Sequence, residues 1–361
     1  MRKEKSFRAE VWLYAGLAIV LFAGCYPARA QMAAPKYEAD PTWPKPLPDT
    51  LVTGRAGGIC VDAQDHIFEI NRGDLQDKEK LTATPAPPVL EYDSDGNLVN
   101  SFGDFKVAPS SPHGCIVDKD NNIYLAGNDD SVVQKYTHDG SKMLLQIGTK
   151  GSFDSSTGLI TGIAMNRSKT LLNKPSDIAV DPSNGDIYIA DGYGDHRIAV
   201  FDKNGKFLRQ WGEQATKDES AAGEGGKFMG VVHCVVMDNN GLVYVCDRQG
   251  NRIQVFDKMG NFKKNIWIKG GKEETPDVWG TAWWMRFSRD PSQRYMIVAD
   301  GRNEVVHILD HEGNEITRFG RPGHQLGEFT HCHTLDIDSH GNIYVAETDI
   351  GRRVDKFKLV K

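Results

Sequence analysis

Three histidines, His113, His233 and His333, stand at one and the same position of an internal repeat. Each lies five residues before an aspartate that closes a short apolar stretch, namely Asp118, Asp238 and Asp338. A neutral imidazole is a metal ligand, and three such ligands with a fourth position open is the pattern of catalytic zinc. Taken singly, each histidine would be an ordinary core or surface residue. The chain has 11 histidines among 361 residues, and chance seldom puts three of them at one position in alternate repeat units. Zinc is therefore the expected metal.

The elements that must position these residues follow from the repeat. Six units begin GGICVDAQDHIFEINRGD at Gly57, HGCIVDKDNNIYLAGND at His113, SDIAVDPSNGDIYIADGY at Ser176, HCVVMDNNGLVYVCDRQ at His233, MRFSRDPSQRYMIVADGR at Met285 and HTLDIDSHGNIYVAETD at His333. Counted back five residues from Asp62, Asp118, Asp181, Asp238, Asp290 and Asp338, the shared position holds Gly57, His113, Ser176, His233, Met285 and His333. Most units continue into a third strand, an Asp-x-x-Gly turn and a fourth strand, as in RIAVFDKNGKFLRQWG. Four short antiparallel strands repeated six times predict an all-β, six-bladed propeller over residues 54–361. These strands resemble NHL repeats. The last unit ends after VDKFKLV, so the segment 31–53 is expected to supply the missing outer strand and close the ring, removing a sheet edge.

In this ring, alternate blades bring the three histidines to the mouth of a central channel. An antiparallel pair returns the end of each second strand to the same face. Those ends carry Arg72, Asp129, Tyr193, Arg248, Arg302 and Thr348. Arginines suit a substrate carboxylate, and a tyrosine beside a metal suits a base. The bland alternative is that the arginines form ion pairs with Asp74, Asp247 or Glu304. Three insertions, 75–88, 149–174 and 212–231, are expected on the same face, where they can wall a cleft.

Net charge is −6 without a basic tract, which argues against nucleic acid as a partner. Arg2, Lys3, Lys5 and Arg8 precede an apolar run from Val11 to Gly24, and Ala28-Arg29-Ala30 fits a cleavage site. Residues 1–30 thus read as a signal peptide, and the protein as secreted or periplasmic. The mature form is then expected to have no transmembrane domain and to act as a monomer. The alternative is a lipoprotein anchored at Cys25. Five cysteines remain beyond the leader, at most two bridges can form, and Cys60 and Cys246 read as buried free thiols inside apolar strands.

The motifs PHG (112–114), DIAVDPSNGDIYIADGY (177–193), QWGE (210–213), HCVVMDNNGLVYVCDRQGNRIQVF (233–256) and NRGD (71–74) resemble the lyase domain of peptidylglycine α-amidating enzyme, the peptidyl-α-hydroxyglycine α-amidating lyase. The resemblance spans all six blades. It implies zinc on His113, His233 and His333, Tyr193 as base, and Arg72 and Arg248 lining the site. The implied reaction cleaves a carbinolamide C–N bond to give a peptide amide and glyoxylate, so the expected partner is a small peptide or carbinolamide with a carboxylate. It also implies a channel calcium held by the backbone carbonyls of Ala56 and Cys115 together with an aspartate, and Thr334 stands where that aspartate belongs. Gly194 occupies the place of one family half-cystine, so that bridge is absent. Other readings of the same chain are a non-catalytic propeller that binds a protein or glycan, and a metal-dependent hydrolase.

Overall fold

The computed structural model describes residues 34–268 and 279–360; the expected leader and Cys25 lie outside them. Six four-stranded antiparallel sheets follow one another around a ring. Their innermost strands are Ala56–Val61, Pro112–Val117, Pro175–Val180, Val232–Met237, Trp284–Phe287 and Cys332–Ile337. The last sheet takes its outermost strand from the other end of the chain. Lys36–Ala39 pairs antiparallel with Arg353–Val360, Lys36 opposite Val360 and Ala39 opposite Phe357, and so closes the ring as the repeat count requires. Among the described residues no helix is long and apolar enough to cross a membrane.

The sheets are buried on both faces because each blade packs on two neighbours. Second strands such as Ile187–Asp191 and Val243–Asp247 are wholly buried. The main apolar clusters run from blade to blade; Tyr188, Val200, Val235, Val245 and Phe256 form one of them.

Near the axis the backbones approach so closely that side chains would not fit. A Cβ on Gly57 would lie 1.9 Å from the carbonyl oxygen of Pro112, and one on Gly114 would lie 2.4 Å from that of Ser176. Glycine is used here for close approach of backbones.

A polar clamp recurs where the second strands end, opposite the start of the innermost strands. Asp191, Asp247 and Glu347 are fully buried there. Each carboxylate accepts a backbone N–H of the segment entering its blade, from Asn173 (2.7 Å), Met229 (2.9 Å) and Thr330 (2.5 Å) respectively. Each also holds an arginine from the start of the third strand: Arg197, Arg252 and Arg353 at 2.9, 2.9 and 2.6 Å. In blade 1 the uncharged Asn71 does the first job, accepting from Gly54 N at 2.7 Å.

Two expectations are corrected. Cys60 and Cys246 are not free thiols: Cys60 is bonded to Cys115 across blades 1 and 2, and Cys246 to Cys234 within blade 4. Burial was legible in the apolar strands, but the pairing is set by register, which puts Cys234 opposite Cys246. Cys332 remains free and buried. The shared position in blade 5 is Trp283, not Met285. The turn between Phe287 and Met296 is two residues longer than that between Val180 and Ile187, and Ser288 rather than Asp290 makes the turn-closing backbone bond, to Tyr295.

Arg252→Ala would leave the buried Asp247 carboxylate without its cation. Removing one partner of a buried pair costs about 3–5 kcal/mol, and urea or thermal unfolding of the variant should show a loss of that size.

Candidate metal centre

Regular alternation would turn the residue at the shared position into the sheet. In five blades the ladder register slips there: between Ala56 and Gly58, Pro112 and Cys115, Pro175 and Asp177, Val232 and Cys234, and Cys332 and Thr334. Such a bulge re-aims a side chain. His113, His233 and His333 lie within three of these bulges and meet at the axis.

The three rings are at most 2% exposed, with centroids 4.5–5.2 Å apart. One ligand nitrogen from each lies within 4.8 Å of the others. Nε2 of His113 is 3.1 Å from Nε2 of His333. The opposite nitrogens are tied back: Nδ1 of His113 donates to Ser176 O at 2.9 Å, and Nδ1 of His233 to Trp283 O at 2.6 Å. Each acceptor is the shared-position residue of the next blade. These bonds fix the tautomer that presents Nε2 to the centre. Nδ1 of His333 is buried with no partner. Burial, together with neighbouring arginine and imidazole charge, holds all three well below the ordinary imidazole pKa, so they stay neutral. Three neutral, converging imidazoles, two of them anchored through their far nitrogens, fit a zinc-type ion.

Tyr193 joins the cluster directly. Its hydroxyl lies 2.9 Å from Nε2 of His233 and 3.1 Å from Nε2 of His113. Arg248 donates to the same oxygen at 3.2 Å and lies over the faces of Tyr193 and Trp283. Nε of Arg248 is buried without a hydrogen-bond partner. Arg72 donates from Nε to Pro112 O at 3.2 Å, one residue from His113, and its charge acts on both His113 and His333. The ion-pair alternative does not hold for these two, because Asp74 pairs with Arg55 and Asp247 with Arg252.

The insertions end beside these residues. Lys174 O accepts the Tyr193 N–H at 3.2 Å, and Val231 O accepts the Arg248 N–H at 3.1 Å. Of the other strand ends, Asp129 is exposed, Thr348 is buried with its hydroxyl unpartnered, and the N–H of Arg302 is held by Asp300.

Two aromatic contributors escape the sequence reading. Trp283 stacks with Trp279 and packs edge-on against His331, which therefore lines the centre without joining the three clustered nitrogens. The run WGTAWW at 279–284 was the available signal, hidden by the long turn of blade 5.

Calcium does not fit. Ala56 and Cys115 are buried on innermost strands, as expected. One residue beyond the shared position, the blades carry Gly58, Gly114, Asp177, Cys234, Trp284 and Thr334. The only carboxylate of that set, Asp177, already holds Arg286 at 3.3 Å and accepts Val235 N at 3.1 Å, while the Thr334 hydroxyl is buried without a partner. The chain thus brings its own cation to the one acid of this layer, where calcium would need free oxygens. The far mouth of the channel opens into a cavity of about 820 Å³ lined in part by Arg286, Arg289 and Asp336, away from the histidines.

NHL repeats match at residues 172–201 and 231–256. The peptidyl-glycine alpha-amidating monooxygenase A of Xenopus laevis is 27% identical over 246 residues, which are 63% of this chain and 24% of the relative. The peptidyl-alpha-hydroxyglycine alpha-amidating lyase 1 of Drosophila melanogaster is 25% identical over 314 residues, 83% of this chain and 52% of the relative. The chain therefore spans about a quarter to a half of the length of these relatives. A streptogramin B lyase structure superposes with a TM-score of 0.55 at 12% identity, covering 91% of this chain and 98% of that one, and shows the shared fold. The chain is an NHL-repeat six-bladed propeller homologous to the peptidylglycine amidating monooxygenase and hydroxyglycine amidating lyase family.

Proposed function

We propose that the protein is an exported, zinc-dependent lyase that cleaves the C–N bond of a carbinolamide of the peptidyl-α-hydroxyglycine type, releasing an amide and glyoxylate. The observation that carries this reading is the Tyr193 hydroxyl, set against two of three clustered imidazoles and capped by the Arg248 guanidinium. A purely structural axis has no need of a phenol there. Homology to amidating enzymes supports the assignment, and the two disulfides support an oxidising compartment.

Bound zinc, held by His113, His233 and His333, would supply a Lewis acid for the substrate hydroxyl. Arg72 and Arg248 bind the substrate carboxylate and orient the carbinol carbon toward Tyr193. Tyr193, acting as the phenolate, takes the hydroxyl proton and, as the phenol so formed, returns it to the leaving nitrogen. The C–O bond becomes the aldehyde C=O of glyoxylate, the C–N bond breaks with its electron pair going to nitrogen, and the nitrogen is protonated to the amide.

Metal analysis beside glyoxylate release from an α-hydroxyglycine peptide tests the reading. His233→Ala should lose the axial zinc equivalent and the activity; a zinc content equal to that of the unaltered protein would overturn the site, and zinc without glyoxylate in the unaltered protein would remove the substrate. Tyr193→Phe should keep its zinc and lose kcat by roughly 10²–10⁴-fold, the usual worth of a positioned base. The metal-free protein should lose stability as pH falls below about 6.5. Unfolded imidazoles take up protons there that the buried three, with depressed folded values, do not. Thermal melts of the metal-free protein should therefore show a steeper pH dependence than those of His233→Ala.

A further inference from the structure

At the opposite end of blade 1, two carboxylates and two imidazoles converge: Asp62, Glu91, His66 and His138. Asp62 closes the innermost strand, His66 follows in the turn, Glu91 lies in the third strand, and His138 reaches over from a turn of blade 2. His66 Nδ1 is 2.6 Å from Glu91 Oε1, and His138 Nε2 is 2.9 Å from Asp62 Oδ2 and 3.9 Å from Glu91 Oε1. All four ligand atoms lie within 4.8 Å of one another.

The other blades show what this place ordinarily holds. The residue paired across from the second position of the second strand is Glu91 in blade 1, but Lys135, Val200, Val255, Ile308 and Lys356 in the rest. In blade 2 that lysine neutralises the strand-ending Asp118 at 2.9 Å. In blade 3, Lys258 reaches over from the next blade to Asp181, much as His138 reaches Asp62. In blades 4 and 6 a tyrosine hydroxyl, of Tyr244 or Tyr344, bonds the strand-ending aspartate. Blade 1 has Phe68 at that tyrosine position, and His138 packs edge-on against it at 5.2 Å. So blade 1 places a second acid where others place a cation or a hydrocarbon, and it omits the hydroxyl that would occupy Asp62.

Both carboxylates are nearly inaccessible, at 0% and 5% side-chain exposure, while the imidazoles, at 35% and 27%, leave a way in. Each acid is anchored through its other oxygen. Asp62 Oδ1 accepts the N–H of Gln64 and of His66 at 2.8 Å, and Glu91 Oε2 accepts from Asn100 at 3.2 Å. One oxygen held by the protein and one turned to the centre is how ligating carboxylates are supported.

We propose that Asp62, His66, Glu91 and His138 form a second divalent-metal site, with the two-nitrogen, two-oxygen donor set suited to zinc, that staples blade 1 to blade 2. It is independent of the axial histidines and of the chemistry assigned to them. The test uses zinc alone. Metal-stripped protein is reloaded, dialysed and assayed for bound zinc per chain, with near-ultraviolet circular dichroism as the check on folding. His138→Gln should carry one equivalent less than the unaltered protein, and His138→Gln combined with His233→Ala one less than His233→Ala. Glu91→Gln, which keeps the side chain's shape, should repeat the loss. Zinc should also raise the melting temperature of His233→Ala but not that of the double variant. Equal zinc contents within each pair would overturn the proposal and leave two histidine–carboxylate ion pairs.

Discussion

The axial centre depends on one irregularity repeated around the ring, the bulge at the start of an innermost strand. A regular ladder would bury the residue between sheets; the extra residue turns it to the axis. What stands there is then decided blade by blade. Where the residue is histidine, an imidazole enters the axial cluster. Where it is Ser176 or Trp283, the backbone carbonyl takes the Nδ1–H of a neighbouring histidine. For His113 and His233 the tautomer of one blade is thus set by the main chain of the next, whereas Nδ1 of His333 has no partner. Glycines near the axis serve the same convergence, because a Cβ there would overlap the adjoining strand.

The buried acids at the ends of the second strands make this convergence rigid. Each uses one carboxylate to hold an entering backbone segment and an arginine of its own sheet. Tyr193 and Arg248 come two residues after Asp191 and one residue after Asp247. The groups assigned to chemistry thus leave directly from the stiffest polar points of the fold. These supports and the ends of the insertions, whose Lys174 and Val231 carbonyls accept the Tyr193 and Arg248 N–H groups, together hold the site in place.

Much of this was legible in the sequence because a repeat supplies its own alignment. The six units, the closing strand and the set His113, His233, His333 follow from spacing alone. Tyr193 and Arg248 follow from strand direction. Spacing failed where a turn changed length: two extra residues in blade 5 moved the shared position from Met285 to Trp283. Cysteine pairing failed for a related reason, since apolar context reports burial whereas a bridge requires knowledge of which residues face one another. The internal cation Arg286 was also out of reach, as nothing in the spacing places an arginine of blade 5 against Asp177 of blade 3.

The sheet that carries His333 is assembled from both ends of the polypeptide, Lys36–Ala39 outside and Cys332–Ile337 inside. A ribosome delivers those pieces some three hundred residues apart in time. Blades 2 and 4 can present their imidazoles early, yet the third arrives only with the final blade, and that blade is complete only after strand Arg353–Val360 has emerged. The three-imidazole cluster can therefore be complete only when both ends of the chain have met in the last sheet.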